Sequence, residues 1–233
     1  MLKKLKTRFL CDLLEPKEVI EFIFQNKEVN KIYFLSPVTY DLVRGARLML
    51  EADLFLIDSL ALAKLLGFKW NATIPRLSFD TASIAPLVFE YVSQAQLKVA
   101  VIGATEEENS EYCAQLVTRY QGLKLVYRRN GYFSDSALSG VISELQEARP
   151  DVIWVGMGAP RQENFCNQII MMPGQKIFTC GGHISQSAKK WNFYPDKVEH
   201  TNLRWLYRLI YEPHARRRFH RVFSGLIRAY REA

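Results

Sequence analysis

Six short apolar runs recur along the 233-residue chain, and a stretch of helical spacing separates most of them from the next; this alternation constrains the fold more than any other feature. The runs are Lys31–Ser36, Asp53–Ile57, Leu97–Gly103, Leu123–Arg128, Asp151–Gly156 and Lys176–Gly181. Between them, Tyr40–Glu51, Ser59–Leu66, Thr81–Ala95, Glu106–Tyr120 and Ser134–Ala148 carry apolar residues three and four apart, the signature of amphipathic helices. Strand–helix alternation predicts an α/β fold, a Rossmann-like and mostly parallel sheet with helices on both faces. With 48% hydrophobic and 12% aromatic residues the chain can bury one good-sized core, so residues 1–200 are expected to form a single domain. No internal repeat or low-complexity linker divides them.

The last third changes character. Of the net charge of +7, +6 falls between Thr201 and Ala233, where eight arginines face only Glu212 and Glu232. Residues 201–233 are therefore expected to be an arginine-rich helical appendage with a polyanionic partner, either an anionic lipid surface or nucleic acid. Phe219, Val222, Phe223, Leu226, Ile227 and Tyr230 fall on one helical stripe, and Arg217, Arg218, Arg221, Arg228 and Arg231 lie largely outside it. That pattern suits a helix lying in a membrane interface. It also suits a helix packed on its own domain or between subunits, so self-association stays open.

Other features bound the chemistry. Cys11, Cys113, Cys166 and Cys180 are too scattered for a metal or redox pair and read as reduced residues. No D-x-D motif and no His/Asp cluster with metal spacing occurs, so no metal and no cofactor are expected. His183, His200, His214 and His220 read as structural or solvated. The basic start Met1–Thr7 is followed by Asp12, Glu15 and Lys17, which is unlike a signal peptide, and no apolar run is long enough to span a bilayer. The expectation is a cytoplasmic protein with at most peripheral membrane contact.

Open α/β sheets bind ligands at the carboxyl ends of their strands, which selects the candidate site residues. Gly156-Met157-Gly158-Ala159-Pro160-Arg161-Gln162-Glu163 puts two glycines after a strand and a proline suited to a first helical turn, with backbone N–H groups to hold a phosphate or sugar oxygen and Gln162 free to bond sugar hydroxyls. A plain tight turn would have the same sequence. Gly103 and the pair Gly181-Gly182 end two more strands and would let a nucleotide approach the backbone. Asp58 stands at the end of Leu54-Phe55-Leu56-Ile57, where it is either a general base or the cap of the next helix. Arg76, in a loop after Pro75, would neutralise a diphosphate or pair with Asp80. Neither a G-x-G-x-x-G fingerprint nor a P-loop is present.

Taken in order, Gly131-Tyr132-Phe133, Pro150-Asp151, the Gly156–Glu163 segment, Gly181-Gly182, Leu203-Arg204-Trp205-Leu206-Tyr207-Arg208-Leu209 and Glu212-Pro213 resemble the WecG/TagA/CpsF family of bacterial cell-surface sugar transferases. The resemblance implies an inverting, metal-independent transfer from a UDP-sugar to a sugar carried on undecaprenyl diphosphate, at the inner face of the membrane. It makes Asp58 the catalytic base, Arg76 the diphosphate-facing arginine and Gln162 an active-site glutamine. Thr39, Gly103, Tyr132, Gly156, Gly158, Pro160, Glu163, Gly181 and Gly182 become substrate-binding residues. Arg208, Arg216, Arg217, Arg218 and Arg221 become membrane or diphosphate contacts. Three places depart from the family pattern: Ser59 after Asp58, Ser36-Pro37-Val38-Thr39 after the first strand, and Ile184-Ser185 after the double glycine. They surround the expected sugar pocket and imply a different donor or acceptor sugar. A nucleic-acid-binding protein and a non-catalytic scaffold of a polysaccharide assembly complex are the alternatives.

Overall fold

A computed structural model describes residues 1–12, 15–193, 195, 198, 204–211 and 213–233. All six predicted strands form: β1 (Lys31–Leu35), β2 (Leu54–Ile57), β3 (Lys98–Gly103), β4 (Lys124–Arg129), β5 (Val152–Gly156) and β6 (Lys176–Thr179). They build one sheet in the order β2-β1-β6-β5-β3-β4, with every described pair parallel. Strands covered on both faces are apolar throughout rather than alternating, and β2, β5 and β6 are buried at every position. Only β4, at the edge, alternates exposed and half-buried residues.

The described helices are α1 (Pro16–Gln25), α2 (Pro37–Gly45), α3 (Leu60–Trp70), α4 (Ala85–Gln94), α5 (Glu106–Arg119), α6 (Leu138–Ala148), α7 (Arg161–Gln168), α8 (His183–Lys189), α9 (Arg204–Tyr211), α10 (Pro213–Arg218) and α11 (His220–Glu232). One sheet face, with Tyr33, Leu35, Phe55, Ile57 and Val155, packs against α2, α3, α6, α7 and the end of α11. The other, with Phe34, Leu56, Val101, Trp154 and Phe178, packs against α1, α4, α5 and α8. The second helix starts earlier than its apolar spacing suggests, because Ser36 caps it, Oγ accepting from the Thr39 N–H at 3.1 Å, and Pro37 fits the first turn. It stops at Gly45, and Arg47 turns left-handed (φ 61°) into a short 3-10 turn over Leu48–Leu50.

The expected boundary at residues 200 and 201 lies outside the described residues, as do His200, Leu203 and Glu212 and the side chains of Arg208 and His214. The last helix does not stand apart from the α/β domain. Gly225 and Ala229 of α11 are buried against it, and Trp70 Nε1 of α3 donates to the Ala233 carbonyl at 3.3 Å. The buried Asp41 carboxylate of α2 meets Arg221 Nη1 at 3.0 Å and Arg228 Nη1 at 2.8 Å. The latter contact is a charge pairing rather than an aligned hydrogen bond. Glu232 accepts from Tyr40 Oη at 2.7 Å and pairs with Arg44. The predicted apolar stripe is thereby divided: Val222 and Leu226 turn partly inward, while Phe219, Phe223, Ile227 and Tyr230 stay exposed. Among the described residues no helix is long and apolar enough to cross a membrane.

Candidate active site

The carboxyl ends of β1, β2, β3, β5 and β6 open on one side of the sheet, and the sequence-selected residues gather there. Asp58 follows β2 with its N–H bonded to the Leu35 carbonyl at 2.9 Å, so the ends of β1 and β2 are level. Asp58 is not the cap of α3. Ser59 is, its Oγ accepting from the Leu62 N–H at 3.4 Å, while the Asp58 carboxylate, 32% exposed, stands beside Arg76.

Arg76 is laid alongside. It bridges to Ile57 as a short parallel extension of the sheet, and Leu77 N–H donates to the Ile57 carbonyl at 2.8 Å. Its guanidinium donates through Nε to the Asp58 main-chain oxygen at 3.0 Å and through Nη2 to Ser78 Oγ at 2.9 Å. The same Nη2 lies 3.6 Å from both the Asp58 and the Asp80 carboxylates. The pairing with Asp80 weighed from sequence therefore occurs, and Asp58, which the sequence reading did not pair with Arg76, shares the same nitrogen. Ser78, whose hydroxyl also donates to Asp80 at 2.6 Å, is a support that sequence reasoning missed. Its signal was its place between Arg76 and Asp80.

The glycine segments are built for close approach. A Cβ on Gly103 (φ 147°) would sit 2.3 Å from the Gly156 carbonyl oxygen, so β3 and β5 can end this close only with glycine there. Gly158 turns with φ 78°, Pro160 immediately precedes α7 instead of opening it, and the Ala159–Pro160 peptide is cis. Gly131 N–H donates to Ala104 at 2.8 Å, which brings Tyr132 to the rim, 74% exposed. Thr39 is half-buried at the end of β1, its hydroxyl 3.1 Å from Ser36 Oγ. Gly182 caps α8 beside Gly181.

Gln162 and Glu163 differ from expectation. Gln162 is 3% exposed and its carboxamide is engaged: Oε1 accepts from the N–H groups of Gly158 and Gly181, each at 3.2 Å, and Nε2 donates to Glu163 Oε1 at 2.8 Å. The Gly158 N–H expected to hold substrate is thus already bonded. Glu163 is fully buried on the inner side of α7 and does not reach the surface. In the tail, Arg216, Arg217 and Arg218 are exposed, whereas Arg221 is committed to Asp41.

The Glycosyl transferase WecG/TagA/CpsF family matches residues 11–233. The chain belongs to this family. It is 30% identical over 210 residues, 89% of each protein, to the UDP-Gal:alpha-D-GlcNAc-diphosphoundecaprenol beta-1,4-galactosyltransferase of Shigella boydii. It is 26% identical over 117 residues, half of this chain and 45% of the relative, to the N-acetylglucosaminyldiphosphoundecaprenol N-acetyl-beta-D-mannosaminyltransferase of Bacillus subtilis (strain 168). As a member of this glycosyltransferase family the chain is an enzyme rather than a scaffold.

Within the WecG/TagA/CpsF fold, all three sequence departures have local structural uses, Ser36 and Pro37 opening α2 as described above. Ser59 is the cap of α3. Ile184 is buried under Gly156, and Ser185 Oγ donates to Glu108 Oε2 at 2.8 Å, tying α8 to the capping box that starts α5.

Two buried groups beneath the site titrate in opposite senses. His183, enclosed by Phe79, Phe89 and Tyr112, is held neutral: burial depresses its pKa to about 4, against a smaller upward pull from Asp80. Burial lifts the Glu163 carboxyl to about 7, against the bond from Gln162. The His183 contribution to stability is present above 6.5 and lost as pH falls through 4. The Glu163 contribution is present below 4.5 and lost as pH rises through 7. The two slopes oppose between 4.5 and 6.5. Glu163→Gln removes one of them, so acidification across that window should lower its unfolding free energy by about 2 kcal/mol more than the wild type's. Urea titrations at both ends of the window measure this, and parallel behaviour of the two proteins contradicts it.

Proposed function

We propose that this glycosyltransferase moves a sugar from a UDP-sugar to a sugar carried on undecaprenyl diphosphate, with inversion and without a metal ion. The observation that carries the reading is the Asp58–Arg76 pair at the end of β2, a one-third-exposed carboxylate beside a guanidinium held by main chain, Ser78 and Asp80. Asp58 takes the proton of the acceptor hydroxyl as that oxygen attacks the anomeric carbon. The carbon–oxygen bond to UDP breaks on the opposite face, and Arg76 neutralises the departing diphosphate. Because Arg76 fills the space between two carboxylates, the positive charge that other transferases take from a metal is supplied here by a side chain. Exposed Tyr132 offers a flat ring for the uracil base at the rim between β3 and β5. The names of the two relatives, both acting on a diphosphoundecaprenol-linked amino sugar, support the acceptor class.

The tail supports a peripheral place at the membrane. Leu206, Ile210, Tyr211, Phe223, Ile227 and Tyr230 are exposed apolar residues on α9 and α11, and Arg216–Arg218 lie between those helices. Apolar insertion and attraction to lipid phosphates act together in such a surface.

The test is a panel of UDP-sugars incubated with the purified protein, EDTA and a short-chain undecaprenyl-diphosphate-sugar analogue, reading UDP release and product mass. Acceptor-dependent UDP release in EDTA is the expected result. Release that needs an added divalent cation overturns the metal-free reading, and silence across the panel overturns the donor or acceptor class.

A further inference from the structure

We propose that Glu163 is a positioning residue: by holding the Gln162 carboxamide in one orientation, it locks the glycine loops after β5 and β6 into a single rim. That this rim faces the donor rests on the function proposed above; the lock itself does not.

The geometry leaves one workable arrangement. Gln162 Oε1 is the shared acceptor for Gly158 N–H and Gly181 N–H, at 3.2 Å each, and these glycines belong to different strand ends. An amide rotated by half a turn would set its NH₂ group against two N–H donors. Two partly buried backbone donors would then lose their acceptor, at about 1–3 kcal/mol each. Nothing in a glutamine's own torsions prevents the rotation, since its terminal torsion is broad and nearly two-fold. The two glycine N–H groups oppose it at one end of the amide, and Glu163 opposes it at the other by demanding a donor: its Oε1 accepts from Gln162 Nε2 at 2.8 Å, at 0% exposure of the glutamate.

The clamp works in both charge states. Glu163 Oε2 is buried and accepts no hydrogen bond among the described residues, so it is the oxygen that takes the proton, and Oε1 goes on accepting. A glutamine at this position keeps an acceptor oxygen for Gln162, while a methionine keeps only the length. Glu163 cannot instead act on the substrate directly, because it is fully buried beside Tyr33 and Cys166, and the Tyr33 hydroxyl donates to the Glu163 main-chain oxygen at 3.5 Å.

The experiment compares wild type with Glu163→Gln, Glu163→Met and, as a second apolar variant, Glu163→Leu. Amide hydrogen exchange at Gly158 and Gly181 is read by NMR, with Val101 in β3, a strand paired on both sides, as reference. We expect exchange at both glycines to quicken about tenfold or more in the apolar variants, to stay near wild type in Glu163→Gln, and to be unchanged at Val101. Wild-type exchange at the glycines in an apolar variant overturns the proposal, and so does loss of protection in Glu163→Gln equal to that in Glu163→Met. Steady-state kinetics on the same proteins separates the lock from the function it serves. The donor KM should rise about tenfold in Glu163→Met with kcat changing less, and Glu163→Gln should restore it. Quickened exchange with an unchanged donor KM leaves the lock standing and refutes the donor assignment of the rim.

Discussion

Asp58→Asn should retain donor binding and lose nearly all turnover, with kcat down by about 10²–10⁴-fold, the usual contribution of a general base. The substitution is close to isosteric and spares the framework. Arg76 Nε bonds the Asp58 main-chain oxygen, not its carboxylate, and Arg76 Nη2 keeps Ser78 and Asp80 as partners. Diphosphate neutralisation and proton removal are therefore separable at this site. Donor titration with the Asp58→Asn variant, set beside single-turnover rates, makes the separation visible. Turnover within a few-fold of wild type would remove Asp58 from the role of base, and loss of donor affinity in proportion to the rate would make it a binding residue.

The second large effect is expected far from the reacting atoms. A Cβ on Gly225 would lie 2.1 Å from the Pro37 carbonyl oxygen, a contact that no side-chain adjustment relieves because the obstacle is backbone. Gly225→Ala should therefore unseat α11 from α2 at a cost of about 3 kcal/mol, the upper part of the usual range for overpacking. The loss goes beyond one contact. Arg221 and Arg228 would withdraw from Asp41, which is 4% exposed and would be left as a buried charge without its partners. Limited trypsin digestion should cut the tail roughly a hundredfold faster, the equivalent of that free energy. Gly140→Ala is the control, since Gly140 lies within α6 with nothing near its missing Cβ. There the substitution should stabilise by about 0.5–1 kcal/mol. Equal protease resistance in Gly225→Ala and wild type would show that α11 is not seated on Pro37.

The two predictions meet at one place. Pro37 lies between the Ser36 cap and Thr39, just after β1, so the tail helix rests on the same backbone turn that carries Thr39. Docking of the tail and shaping of the strand end that carries Thr39 are coupled through that shared backbone by packing.

The amino-acid sequence by itself determined the sheet and selected the candidate site residues. Apolar runs bounded by turn residues specify buried parallel strands, since such strands need no alternation, and six of them separated by amphipathic stretches leave few arrangements besides a two-sided α/β sheet. Asp58 and the glycine segments follow as strand-end residues, because side chains and loops at the carboxyl ends are where such a sheet opens, whereas Arg76 reads only as a loop residue until the structure lays it beside Ile57. Tertiary structure alone decided which local role each polar residue fills. Ser59 rather than Asp58 caps α3, Gln162 turns inward to bridge two loops, and Glu163 stays in the core. It also seated the arginine-bearing helix on its own domain through Asp41, a residue whose neighbours along the chain carry no sign of it. The physical reason is range. Burial patterns are set by residues three and four apart or by alternation, and they survive in a linear reading. Pairings across separations such as Asp41–Arg221 or Gly181–Gln162 exist only once the sheet has brought distant segments together.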